Sequence, residues 1–92
     1  MPEARFTIQW PDGQTEDCYS PSTVIRDFLA AGTTYTLSDF LSQSRLALEE
    51  ASTRVEAKFG YRCTSADAQL EKIENAARAF SAADNVTCLS IT

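Results

Sequence analysis

The N-terminal part of the chain alternates apolar and polar side chains, the pattern of a half-buried β-strand. Apolar Phe6, Ile8 and Trp10 are separated by polar residues, so one face of this predicted strand is apolar. Residues 10–13, Trp-Pro-Asp-Gly, are typical of a turn, because Pro fixes its own φ and Gly accepts a positive one. With a second strand over residues 14–19, the pattern predicts an N-terminal β-hairpin.

A short helix is predicted after the hairpin. Ser20 can cap its free amides, and Pro21 suits the first helical position, where a missing N–H costs nothing. Apolar residues recur at helical spacing up to about Ala31, and Gly32 can end the helix. A linker that carries Tyr35 should follow.

Two longer helices form the clearest pattern in the sequence. Thr36 with Asp39, and Thr64 with Asp67, have the spacing of helix-capping pairs. The apolar stripe of the first long helix consists of Leu37, Leu41, Ser44, Leu48, Ala51, Val55 and Phe59. That of the second consists of Ala66, Leu70, Ile73, Ala77 and Phe80. Gly60 and a short loop separate the two stripes, so we expect an antiparallel helix pair.

The last seven residues, 86–92, are rich in β-branched side chains and predict a closing strand that pairs with the hairpin. The order of elements predicts an α+β fold: a small antiparallel three-stranded sheet covered on one face by about three helices. With 92 residues, the chain is expected to form a single domain over 1–92.

Charge and composition argue against several classes of function and location. Thirteen acidic and eight basic residues give a net charge of −5, which opposes binding to nucleic-acid phosphates. No apolar run reaches the roughly 18 residues of a membrane span, and no secretory signal is recognised. Cys18, Cys63 and Cys88 are odd in number and widely spaced, which favours reduced thiols and a cytoplasmic location.

The sequence offers little catalytic chemistry. It has no histidine, so the commonest general base and metal ligand is missing. No Gly-rich phosphate loop or metal-ligand spacing is present, so we predict no catalytic residues, no metal and no cofactor. An enzyme that works through Cys18 is the least favoured hypothesis.

Two groups of residues are candidates for binding. Ser20, Ser22 and Thr23 lie at a predicted helix start, where hydroxyls and free amides can hold an anionic or nitrogenous metabolite; ordinary helix capping is the alternative. The candidate interaction residues are Trp10, Asp12, Tyr19 and Tyr35. For the aromatic members of this group, packing of the hairpin onto the helices is the alternative.

Several short motifs resemble a small bacterial nitrogen-starvation-response protein family. They are Met1-Pro2-Glu3, Trp10-Pro11-Asp12-Gly13, Cys18-Tyr19-Ser20-Pro21-Ser22, Ser44-Arg45 and Lys58-Phe59-Gly60-Tyr61. The resemblance implies a gene cluster that also encodes a nitrilase, a radical S-adenosylmethionine protein and an acetyltransferase-like protein. It brings no catalytic residues with it.

The leading hypothesis is therefore a non-enzymatic accessory or regulatory protein that binds a protein of that cluster or a second copy of itself. The alternative is a small-molecule sensor or carrier.

Overall fold

A computed structural model describes residues 3–61 and 64–92. In these residues four strands and three helices follow one another along the chain. They are β1 (Ala4–Gln9), β2 (Thr15–Ser20), α1 (Ile25–Phe28), β3 (Thr33–Thr36), α2 (Leu37–Phe59), α3 (Thr64–Ala77) and β4 (Asn85–Ile91). Of the helices in this part of the chain, none is long and apolar enough to cross a membrane.

The sheet has four antiparallel strands in the order β2-β1-β4-β3. The predicted three-stranded sheet is therefore wrong, although the α+β class, the hairpin and the pairing of the closing strand with it are confirmed. The missing strand, β3, occupies the predicted linker around Tyr35, which faces Val86 of β4. Its sequence has only one large apolar residue, so its strand character depends on pairing with β4.

The first helix is much shorter than predicted. Ser20 is the last residue of β2, and α1 contains only Ile25–Phe28. At Leu29 the backbone is already extended, with φ −123° and ψ 144°. Because β2 and β3 are the two outer strands of the sheet, this segment crosses from one edge of the sheet to the other.

Both long helices are confirmed, but Phe80, predicted on the apolar stripe of the second helix, lies beyond the last residue of α3, Ala77. The side chain of Thr36 caps α2 by accepting a hydrogen bond from the Asp39 N–H (3.2 Å). Gly60 ends α2 with φ 81°, a conformation that glycine adopts without strain. α3 already includes Thr64, and the residues immediately before it, among them Cys63, lie outside the described part of the chain.

The hydrophobic core lies between the sheet and the helices. Phe6 and Ile8 of β1 pack in one cluster with Phe40 and Leu48 of α2 and Ile73 of α3. Side chains alternate along a strand, so the other face of the sheet carries the intervening, mostly polar residues. This open sheet face includes Arg5, Thr7, Gln9, Thr15, Asp17, Tyr19, Thr34, Thr87 and Ser90.

Candidate functional site

A groove of about 540 Å³ opens between the first half of α2 and the end of α3. This interhelical groove is lined by Leu37, Ser38, Leu41, Ser42, Arg45, Glu71, Glu74, Asn75, Ala77, Arg78, Phe80 and Ala82. Its volume lies within the range of roughly 300 to 1,000 Å³ that is usual for small-molecule sites. The groove is therefore the strongest candidate site for binding.

The apolar wall of the groove is held in place by the hairpin. The Phe80 ring stacks on Trp10, with centroids 5.8 Å apart and planes 13° from parallel. Trp10 also meets Phe40 edge to face at 5.9 Å, and its Nε1–H donates to Glu16 Oε1 (3.1 Å). The indole is only 6% exposed. The Trp-Pro-Asp-Gly turn thus contributes to the groove by positioning Trp10 behind Phe80.

The loop that follows α3 closes one end of the groove. The Leu37 N–H donates to the carbonyl of Asp84 (2.7 Å), and the Ser38 N–H donates to the carbonyl of Ala82 (3.2 Å). The Asp84 side chain in turn accepts from the Ser81 N–H (2.9 Å). Since Thr36 engages the amide of Asp39, the first amides of α2 all have partners within the protein, so they are not free to hold an anion.

The polar groups of the groove differ in whether they are already paired. Arg45 on α2 forms an ion pair with Glu74 on α3, with Nη2 and Oε2 2.8 Å apart. Arg78 and Glu71 make no ion pair in the described part of the chain. A guanidinium beside an apolar wall is thus available for a ligand.

Sequence reasoning missed this groove because its residues come from two segments about 30 positions apart and share no motif. The one local signal is the pair of serines, Ser38 and Ser42, four residues apart beside the apolar stripe of α2. Residues at this spacing lie on the same side of a helix.

The predicted anion-binding residues lie elsewhere, at the end of β2. Ser20 and Ser22 are buried, whereas Thr23 is exposed. The Ser20 hydroxyl donates to the carbonyl of Ser22 (2.7 Å), and the Ser22 Oγ accepts from the Val24 N–H (3.3 Å). These hydroxyls therefore have partners within their own turn.

The four predicted interaction residues do not form one patch. Trp10 is buried against the helices, whereas Asp12 is exposed in the hairpin turn. Tyr19 lies on the open sheet face, where Arg5 stands over its ring at 5.8 Å. Tyr35 points to the helical side, and its hydroxyl accepts from the Ala30 N–H (2.9 Å).

The cysteines that the structure describes are buried in strands. Burial raises the pKa of the Cys18 thiol to about 12, and the charge of Glu16 adds to this effect. Burial also raises the pKa of Cys88. Both side chains therefore stay protonated at neutral pH, and a protonated thiol is a poor nucleophile. Over residues 3–61 and 64–92, no three Cys, Asp or Glu side chains cluster as a metal site requires.

Comparison with known protein families shows the family to which the chain belongs. The family described as nitrogen starvation-induced protein NitG matches residues 5–91 of the chain. The chain belongs to this family. The match confirms the resemblance to nitrogen-starvation-response proteins, while the nitrilase-containing gene cluster stays a prediction. Searches of curated proteins and of solved structures returned no match.

Proposed function

We propose that this member of the NitG family is a non-enzymatic accessory or regulatory protein of the bacterial nitrogen-starvation response. It acts in the cytoplasm by binding an enzyme encoded in a nitrilase-type gene cluster. Family membership supports the link to nitrogen starvation. The protonated thiol of Cys18 and the absence of histidine support a role without catalysis.

The observation that carries the proposal is the open sheet face. Three helices pack on one side of the sheet, so the described chain covers only that side. The uncovered side carries threonines, charged groups and Tyr19, and non-obligate interfaces are about as polar as the rest of a protein surface. This face therefore suits a partner that binds and dissociates.

The size of the face indicates the strength of the complex. Four strands about 4.8 Å apart and about six residues long, at about 3.4 Å per residue, cover roughly 400 Å². A standard stable interface buries about 800 Å² on each partner. We therefore expect a transient complex, which calls for a measurement of weak binding.

Surface plasmon resonance on each of the purified enzymes of the cluster tests this proposal. Thr87 lies on an inner strand of the open sheet face, so Thr87→Arg should abolish binding by placing a bulky cation in the interface. Thr53→Arg is the matched control, because Thr53 is exposed on α2 and, like Thr87, makes one side-chain hydrogen bond. Equal binding by both variants, or no binding by the wild type, would contradict the proposal.

A second candidate function is a sensor or carrier of an anionic or nitrogenous metabolite. The interhelical groove favours it, because the groove combines a suitable volume with the guanidinium of Arg78, which has no ion-pair partner among the described residues. A ligand that binds only the folded chain should raise the melting temperature by mass action. A panel of metabolites that leaves the melting temperature unchanged would argue against this function.

A further inference from the structure

We propose that the interhelical groove binds a small organic monocarboxylate with an apolar body, and that Arg78 pairs with the carboxylate. This inference rests on the sensor or carrier function proposed above. It adds the site, the ligand class and the residue that recognises it.

The free hydrogen-bond donors of the groove favour an anion. The guanidinium of Arg78 is exposed and has no ion-pair partner among the described residues, whereas Arg45 is held by Glu74 at 2.8 Å. Ser38 and Ser42 line the same groove, and within the described chain their hydroxyls have no hydrogen-bond partner. A guanidinium matches the planar, two-oxygen geometry of a carboxylate, and hydroxyls can complete its hydrogen bonds.

The charge balance of the groove disfavours an anion of more than one charge. Arg45 and Arg78 are matched by Glu71 and Glu74 around the groove, so a multiply charged phosphate would meet repulsion from two carboxylates. The amide groups at the start of α2, which bind phosphate in other proteins, are engaged by the loop after α3. The site therefore suits a carboxylate better than a phosphate.

The remaining surface of the groove requires an apolar ligand body. Leu37, Leu41, Ala77 and Phe80 line it beside Arg78. The stack of Phe80 on Trp10 fixes this wall before any ligand arrives, and a preformed wall reduces the entropy that is lost on binding. A short aliphatic or aromatic acid would place its carboxylate against Arg78 and its apolar body against this wall.

The experiment uses the full chain with hexanoate and phenylacetate as probes, and with hexanamide and phenylacetamide as uncharged analogues. We expect the two acids, and not the amides, to raise the melting temperature. Calorimetric titration should show that Arg78→Gln raises the Kd about tenfold or more, since hydrogen bonds to a charged group contribute about 1.5 to 3 kcal/mol. Arg26→Gln is the matched control, because Arg26 is exposed on α1 and makes no ion pair among the described residues.

The possible outcomes separate this inference from the function on which it rests. Binding of the acids that Arg78→Gln weakens and Arg26→Gln leaves unchanged supports the inference. Binding of the amides alone, or binding of the acids that Arg78→Gln does not change, overturns the carboxylate assignment and leaves a sensor function standing. No response to these compounds overturns the carboxylate assignment, and no response to a wider metabolite panel overturns the sensor function as well. Far-UV circular dichroism of each unliganded variant excludes loss of fold as the cause.

Discussion

Replacing Trp10 by alanine should destabilise the protein more than any surface substitution, because Trp10 connects the hairpin to α2 and to the segment that follows α3. Its ring stacks on Phe80 at 5.8 Å and meets Phe40 at 5.9 Å. Its N–H donates to Glu16 Oε1 at 3.1 Å, while the Oε2 of that carboxylate is buried without a hydrogen-bond partner among residues 3–61 and 64–92. Truncation would therefore leave a cavity and a carboxylate with neither oxygen bonded.

The expected cost can be compared with the total stability. Burial of the indole to 6% exposure places Trp10→Ala among core truncations that cost about 3 to 5 kcal/mol. A chain of this length is expected to have a total stability of about 5 to 14 kcal/mol. Trp10→Phe keeps most of the ring and loses the hydrogen bond, so it should cost about 1 to 2 kcal/mol. Leu46→Ala is the control, because Leu46 is 55% exposed and its loss should cost less than about 0.5 kcal/mol.

Urea denaturation followed by far-UV circular dichroism measures these differences. Tryptophan fluorescence does not serve here, because Trp10 is the only tryptophan in the chain. We expect the order of destabilisation to be Trp10→Ala, then Trp10→Phe, then Leu46→Ala. A cost below about 1 kcal/mol for Trp10→Ala, or the same cost for all three variants, would refute the reasoning, because tight packing of Trp10 requires a cavity penalty.

Three further predictions concern single residues. Gly60→Ala should lower the free energy of unfolding by about 1 kcal/mol in urea denaturation, because the φ of 81° is strained for alanine. A steric clash does not add to this cost, since an added Cβ meets no atom within 4 Å. Thr36→Ala should cost about 1 kcal/mol by loss of the α2 cap, and Thr36→Ser, which keeps the hydroxyl, should recover most of it. Burial raises the pKa of Cys18 from 9.0 to about 12, so folding disfavours the thiolate. The contribution of the protonated Cys18 thiol to the free energy of unfolding is therefore complete below pH 9 and is lost as the pH rises towards 12. The stability of wild type should therefore fall between these pH values more steeply than that of Cys18→Ala, and parallel pH profiles would contradict this assignment.

Local chemistry predicted most of the elements, and the errors occur where tertiary contacts decide. The α2 boundaries at Thr36 and Gly60 follow from capping and positive φ, which are properties of a few neighbouring residues. Ser20 has the chemistry of a helix cap and instead ends β2, because pairing with Ala4 extends the strand to that residue. Two local preferences conflict at this position, and the sequence does not show that strand pairing prevails.

The candidate site was harder to predict than the fold. The serines at the end of β2 have a binding-site pattern, yet they form hydrogen bonds with their own turn. The pattern around Arg78 is that of an ordinary solvent-exposed helix end. Only the packing of α3 against α2 places this guanidinium beside an apolar wall.

The sequence by itself determined the α+β class, the hairpin and both long helices, because hydrophobic periodicity, turn chemistry and capping act over a few residues. Membership of the NitG family is likewise a property of the sequence. The tertiary structure alone decided that residues Thr33–Thr36 form a fourth strand, that one sheet face stays open, and that a groove forms between α2 and α3. Each of these depends on pairing or packing between segments far apart in the chain, and no local pattern records which distant partner a segment meets.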